Sequence, residues 1–374
     1  MSHLAEEYAK CCGVRIGRPV IKPHYFPILF DKYVTIHNDK KIQAKEYDYW
    51  PEVISLAKPF MGNIKFVQIG AMGEQTIEGV DSHSPTNSLK QCSYIIERSL
   101  AHVGIDSVPV HIASALDKPV VGIYSHTYAS TCNPLWNKKS KAVILESDRG
   151  GNKPSFALEE NPKTVNFIKP ERVAQGLLDV LNISEKIKTK TLFMGSRSMV
   201  RCVEVIPLNP VNFNGGPILV RMDIEHNEDA LRQILQKTSA EIITNKPISE
   251  DILKSQKIQR LSYEAPLFDE AFLKTLVRLG TPTTLVCTDE KNLEKERVKY
   301  FDCLIHQDKK PKMIEDNKNK AKDLDLKSIK IKSGRKIFCG DKVYESHFDR
   351  TGRKNKEDLF VDLDWLLIYN RPHE

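Results

Sequence analysis

The sequence predicts an α/β protein built as two Rossmann-like α/β domains plus a small β-rich C-terminal tail. Three observations carry this reading. From Tyr33 to Leu181, short β-branched runs alternate with stretches of helical period. That alternation stops at a charged run, Glu185–Lys190, and then begins again. The last candidates, Lys330–Phe338, Lys342–Tyr344 and Leu359–Asp364, are strands alone, with Gly340-Asp341 inviting a hairpin. Strand and helix in alternation mark a parallel sheet with helical crossovers. The expected divisions are 1–188, 189–310 and 311–374.

Taken in order, Ser2 to Cys12 reads as an amphipathic helix stopped by Gly13, and Pro19, Pro23 and Pro27 mark an extended connector. Strands are expected at Tyr33–His37, Ile64–Gly70, His102–Ile105, Val120–Ser125 and Ala142–Glu146, and helices at Tyr49–Pro59, Ser88–Leu100 and Pro109–Leu116. Val120-Val-Gly-Ile-Tyr is apolar on both faces, as a sheet covered on both sides requires. Leu89, Cys92, Ser93 and Ile96 form a 3.6-period stripe that can dock on that sheet. A helix from Pro170 closes the domain, with proline near its first turn. The second domain, expected to be the smaller, carries strand candidates Thr191–Met194, Cys202–Ile206, Ile218–Met222, Glu241–Thr244, Thr284–Cys287 and Asp302–Ile305. Its helix candidates are Glu228–Lys237, Ser249–Lys254, Asp269–Leu279 and Lys291–Lys299.

Composition excludes several classes. No apolar run approaches the ~20 residues that span a bilayer, and the polar N-terminus lacks the pattern of a signal peptide. The expected location is the cytoplasm. The eight cysteines form no C-x-x-C pair and fit no zinc or disulfide framework, so no metal site is expected. The net charge of +7 is concentrated between Lys291 and Lys356, where acidic residues are interleaved and no aromatic stacking motif accompanies the lysines. That pattern suits a solvated linker better than a nucleic-acid surface.

Ligands of open parallel sheets bind beyond the carboxyl ends of the strands. In the first domain those ends are His37-Asn38, Gly70-Ala-Met-Gly-Glu74, Asp106-Ser107 and Ser125-His-Thr127. The sharpest is Gly104-Ile-Asp-Ser-Val-Pro-Val-His-Ile-Ala. Asp106 and Ser107 are helix-capping types, and Pro109 suits a first helical position, where its missing N–H costs nothing. The free amides of Val110 and His111, with the positive end of the helix dipole, would then form an anion site. A diphosphate there would meet those amides, the Ser107 hydroxyl and the His111 ring. Taken singly, Asp106 and Ser107 read equally as plain caps, His111 as a packing histidine and Lys45 as a solvated loop residue.

Three segments carry a resemblance: Lys45-Glu-Tyr-Asp-Tyr-Trp-Pro-Glu-Val-Ile, Thr86-Asn-Ser-Leu, and Val103-Gly-Ile-Asp-Ser-Val-Pro-Val-His-Ile-Ala through the strand to Ser125. Together, from about His3 to Leu181, they resemble the donor-binding half of glycosyltransferase family 9, the heptosyltransferase-like enzymes of GT-B fold. The resemblance implies that Lys45, Ser107 and the amides around Val108–Val110 hold a donor diphosphate. It places Asn87 and Ser88 near the nucleoside and Thr127 beside the sugar or phosphate. With Asn38, Asp106 and His111 these make the expected donor site. No cofactor is expected beyond the nucleotide-diphosphate sugar itself.

Two departures stand out. The family's glycine after Asp-Ser/Thr is Val108 here, whose Cβ restricts close approach to phosphate. The family also places its acceptor domain ahead of the donor half, whereas here the Ser2–Gly13 helix resembles the segment just before that half. The acceptor half is therefore expected in a separate acceptor-domain chain or in residues 189–310, where Asp223 and Glu225 are weak candidates for the catalytic carboxylate. The expected activity is sugar transfer to a hydroxyl of a glycan, of the lipopolysaccharide type or another. The alternatives are a nucleotide-sugar-binding protein or donor-binding subunit without catalysis, and a transferase acting on nucleic acid.

Overall fold

The structure, a computed structural model, describes residues 2–38, 41–138, 141–160, 163–193, 202–208, 218–307, 319, 329–332, 335–354 and 367–370. The expected strand Leu359–Asp364 and, within the lysine-rich stretch, residues 308–318 and 320–328 lie outside the described residues. The chain divides into two compact units, one from Met1 to Thr191 and one from Leu192 to Asn370. Both are α/β with parallel sheets. No helix among the described residues is long and apolar enough to cross a membrane.

The first unit opens with helix α1 (Leu4–Cys11) and is built on six strands: β1 (Tyr33–His37), β2 (Lys65–Gly70), β3 (Ser82–Pro85), β4 (Ala101–Ile105), β5 (Val120–Tyr124) and β6 (Ala142–Glu146). They lie in the order β3-β2-β1-β4-β5-β6, every pair parallel. This is the Rossmann order, reversing between β1 and β4. All five residues of β1, of β4 and of β5 are buried, as expected for strands covered on both faces. The helices between them are α2 (Trp50–Ala57), α3 (Leu89–Arg98), α4 (Val108–Ala115), the short α5 (Ala129–Cys132) and α6 (Pro170–Val180).

Ser88 accepts a hydrogen bond from the Gln91 amide and so starts α3, which buries Cys92, Ser93, Ile95 and Ile96. Leu89, expected in that stripe, is 62% exposed, because it sits at the first helical position, outside the docked turns. The proline-rich connector holds Ile21, Phe26, Ile28 and Phe30 against the core of Tyr33, Ile69, Ile95 and Val110. β3 was absent from the sequence reading. Ser-His-Ser-Pro has no β-branched residue, and it is tolerated at the sheet edge, where all four residues stay half-buried.

The second unit carries an eight-stranded sheet. Its strands are β8 (Cys202–Ile206), β9 (Ile218–Arg221), β10 (Ala240–Thr244), β11 (Ile258–Ala265), β12 (Thr283–Cys287), β13 (Ile305–Gln307), β15 (Arg335–Cys339) and β16 (Lys342–Tyr344). From β8 to β13 the strands follow one another in chain order. The reversal comes where β15 adds in parallel on the far side of β8. The tail thus extends this sheet, which has more strands than the first rather than fewer. β15 and β16 form the hairpin expected at Gly340-Asp341, with Gly340 at φ 63°, a left-handed conformation that glycine adopts without strain. The single strand expected over Lys330–Phe338 is two, since β14 (Ile329–Lys332) pairs with β17 (Leu367–Asn370) in a separate three-stranded sheet with β7 (Lys190–Phe193). Helices α7 (Glu228–Lys237), α8 (Glu250–Leu253), α9 (Glu270–Leu279) and α10 (Glu290–Lys299) connect the parallel strands. Asn227, Asp269 and Asp289 cap three of them through side-chain oxygens.

Candidate functional site

The strand order reverses between β1 and β4, and the carboxyl ends of those strands are where the sequence placed its site. β4 ends at Ile105, and the Asp106 amide then donates to the Ile123 carbonyl at 3.1 Å, holding this turn against β5. The Asp106 carboxylate is the hub. Lys45 Nζ donates to its Oδ2 at 3.3 Å and to its backbone carbonyl at 3.0 Å. Thr127 Oγ1 donates to Oδ2 at 2.8 Å, and His111 Nε2 stands 3.8 Å from Oδ1. Burial pushes the Asp106 carboxyl upward, but the nearby His111 imidazole, the Lys45 ammonium and the Thr127 hydroxyl outweigh it, and the group stays below the usual carboxylate range.

Each partner arrives by its own element. Lys45 ends a short 3-10 turn, Gln43–Lys45. Asn38 Oδ1 accepts from the Tyr47 amide at 3.1 Å, tying the end of β1 to that turn. Asn38 therefore positions the lysine segment. His111 comes from α4, and Thr127 follows β5.

Helix α4 begins one residue earlier than expected, at Val108, with Pro109 second. The Val110 amide is not free, because it donates to the Ser107 carbonyl at 3.2 Å and closes the first turn. With Pro109 lacking an N–H, the amides at this helix front that make no backbone hydrogen bond among the described residues are those of Ser107 and Val108. The Val108 side chain is half exposed. Ser107 caps no amide with its hydroxyl. Its Oγ donates to the Ile105 carbonyl at 3.1 Å and lies 2.9 Å from His37 Nδ1.

Asn87 and Ser88 are not part of this cluster. Both are exposed and engaged in starting α3, with the Asn87 amide donating to Gln91 Oε1 at 3.3 Å. In the second unit, Arg221 holds both carboxylate oxygens of Asp223 at 2.8 Å, and Glu225 is exposed.

The structure also adds residues that the sequence reading left out of the site. His37 faces Ser107. His102, fully buried on β4, bonds through Nδ1 to Thr35 Oγ1 at 3.0 Å. Burial, helped by neighbouring His37, pushes the His102 imidazole down to about 3. Gly104 makes room for this pair, since a Cβ there would lie 3.0 Å from His102 Nε2 and 3.2 Å from the His37 carbonyl. His126 lines a small cavity of about 10 Å³ with Lys45, Asp106, Ser125 and Thr127. The signal for His37 and His126 was their place at strand ends, but polarity at strand ends is too common to single out a ring nitrogen.

Residues 31–161 match the sequence model of glycosyltransferase family 9 (heptosyltransferase), a span that holds every expected donor-site residue. Among solved structures, the chain is similar to a family 9 glycosyl transferase from Veillonella parvula DSM 2008, at 16% identity and a TM-score of 0.35, covering 41% of this chain and 47% of that one. It is also similar to the E. coli ADP-heptose lps heptosyltransferase II, at 19% identity and a TM-score of 0.31, covering 49% and 52%. A third is the iron-containing dodecameric glycosyltransferase TibC from enterotoxigenic E. coli H10407, at 16% identity and a TM-score of 0.34, covering 46% and 50%. The chain thus spans about half the length of the solved structures it matches. No curated protein matches the sequence.

Proposed function

We propose that the first unit binds the nucleotide-diphosphate sugar of a glycosyl transfer, with the diphosphate at the carboxyl ends of β1 and β4. The observation that carries this reading is the convergence of Lys45, Asp106, His111 and Thr127 at the strand-order reversal, inside the span that matches the family. In the transfer, an acceptor hydroxyl attacks the anomeric carbon and the bond from that carbon to the diphosphate oxygen breaks. The nucleoside diphosphate leaves with the bonding electrons, and a base takes the hydroxyl proton. Developing charge on the leaving oxygen calls for preorganised donors. Lys45 is the cation at hand, and the Ser107 and Val108 amides at the front of α4 add the positive end of a helix dipole. Asn38 holds the lysine turn in place. Asn87 and Ser88, on the rim by α3, are the proposed nucleoside side.

The acceptor is a hydroxyl of a glycan or another molecule. A second reading, a donor-binding component without a base of its own, is favoured by Arg221 occupying both oxygens of Asp223. A panel of UDP-, ADP-, GDP- and CMP-sugars separates the two. Release of nucleotide, by transfer or slow hydrolysis, supports the enzyme. Tight binding with no release supports the binding component, and absence of any binding removes both.

A further inference from the structure

We infer that the incoming diphosphate is bound together with a proton, which His126 holds on its ring to hydrogen-bond the ligand. The inference rests on the reading of the donor site above. His126 is nine-tenths buried, lines the cavity beside Lys45, Asp106 and Thr127, and its Nδ1 is sealed from solvent with no hydrogen-bond partner among the described residues. A buried ring nitrogen left without a partner is costly unless something polar arrives to meet it. The cavity as it stands has room for about one water. A phosphoryl group would have to open it, and would meet His126 as it did so.

Charge balance points the same way. Each phosphoryl group of a nucleotide-sugar adds a negative charge to a site that already holds the Asp106 carboxylate. The groups facing His126 are few. Lys45 comes from the turn after β1 and already bonds Asp106 twice. Glu160, from the loop above, adds a further negative charge, and its Oε2 accepts from Thr164 at 2.6 Å. Arg149 donates to the Ser125 carbonyl at 2.9 Å and is paired with Glu146. His111 is turned toward Asp106. One ammonium is therefore set against Asp106, Glu160 and the ligand, and the unpartnered imidazole is the group placed to supply the missing charge. In the unliganded protein, burial first and the Lys45 ammonium second hold His126 below the ordinary imidazole range, so it is neutral and ready to take the proton.

The test is calorimetry of UDP, ADP and GDP binding to the full chain, at matched pH in buffers of different ionisation enthalpy. It is run on the wild type and on His126→Asn, whose amide nitrogen stands in for Nδ1 and does not titrate. His126→Gln serves as a second variant, with thermal unfolding to confirm folding. Near neutral pH the wild type is expected to take up close to one proton more than either variant. Its affinity should fall by up to about tenfold per pH unit as the bound imidazole loses its proton. The ligand's own titration is common to all three proteins and cancels. Equal proton uptake in wild type and variants overturns the inference and leaves the donor site standing. A folded wild type that binds none of the three nucleotides overturns the donor site and the inference with it.

Discussion

His37 Nδ1 lies 2.9 Å from Ser107 Oγ, so the last residue of β1 and the residue before α4 are joined across the strand-order reversal. The Ser107 hydroxyl also donates to the Ile105 carbonyl at 3.1 Å. With that hydrogen committed, His37 is the donor of the pair and orients the oxygen. A ligand that takes the hydroxyl hydrogen draws it away from Ile105 while His37 keeps Oγ in place. Ser107→Ala and His37→Ala should each weaken nucleoside-diphosphate binding by about 1 kcal/mol, roughly fivefold. The double variant should be little worse than either single one, because both remove one coupled unit. Calorimetric titration of the four proteins checks this, and strictly additive losses would show that the two residues act separately.

Lys45 is the sharper lever. Its ammonium is largely buried and touches both the carbonyl and the carboxylate of Asp106. Lys45→Ala should weaken nucleoside-diphosphate binding by roughly 10–100-fold, the worth of a hydrogen bond to a charged group. It should also let the Asp106 carboxyl rise, since one of the groups holding it down is gone. Binding assays with the variant at pH 7 test the first effect, and carboxyl titration by NMR tests the second. Unchanged affinity would leave the lysine a partner of Asp106 and nothing more.

How much of this was written in the sequence can be followed residue by residue. β1, β4 and β5 were legible because they are buried on both faces and so carry Val and Ile without a charged residue between them. β11 was not, although Leu261, Tyr263 and Ala265 alternate with Ser262 and Glu264 in strand period. Its polar half belongs to a face the helices do not bury, and this masked the apolar half. Asp106 and Lys45 were legible as a strand end and a loop lysine, but their mutual contact is 61 residues apart in sequence and no local pattern encodes it. The start of α4 was misplaced by one residue because proline is tolerated at both of the first two positions, where no helical N–H bond is required. Arg335 lies within the basic region between Lys291 and Lys356, and only the pairing of β15 with β8 brings it to Glu204.

His102 makes the first unit sensitive to acid. Burial, reinforced by His37, holds its imidazole down to about 3, against an ordinary value near 6.5 in the unfolded chain. Between those two values the unfolded state binds the additional proton, so stability falls as pH drops from about 6.5 toward 3 and is fully retained above 6.5. The loss is of the order of several kcal/mol at the acid end. His102→Gln cannot charge, so its unfolding free energy should change less between pH 7.5 and pH 4.5 than that of the wild type, even if it starts lower for want of the Thr35 contact. Parallel urea melts at the two pH values give the comparison, and identical pH slopes would count against a neutral buried ring.

The second unit is held at the reversal between β8 and β15 by one fully buried carboxylate. Glu204, on β8, is paired with Arg335 from β15, with Arg221 Nη1 from β9 at 3.3 Å, and with His347 Nε2 at 2.9 Å. Arg350 Nε donates to His347 Nδ1 at 3.2 Å, which leaves Nε2 as the ring's donor toward Glu204. A buried ion cluster adds little net stability over a well-packed apolar one, but removing one member strands the others. Glu204→Gln keeps the shape and deletes the charge, taking the shared counter-ion from two guanidinium groups, of which Arg221 keeps Asp223. The expected cost is about 3–5 kcal/mol, read as a lower denaturant midpoint. Glu7→Gln, which breaks an exposed pair with Lys10, should leave the midpoint where it is. The contrast arises because water screens the exposed pair and cannot reach the buried one. A Glu204→Gln protein as stable as the wild type would mean that the guanidinium groups find other partners, and that β15 is held on the sheet by its backbone ladder alone.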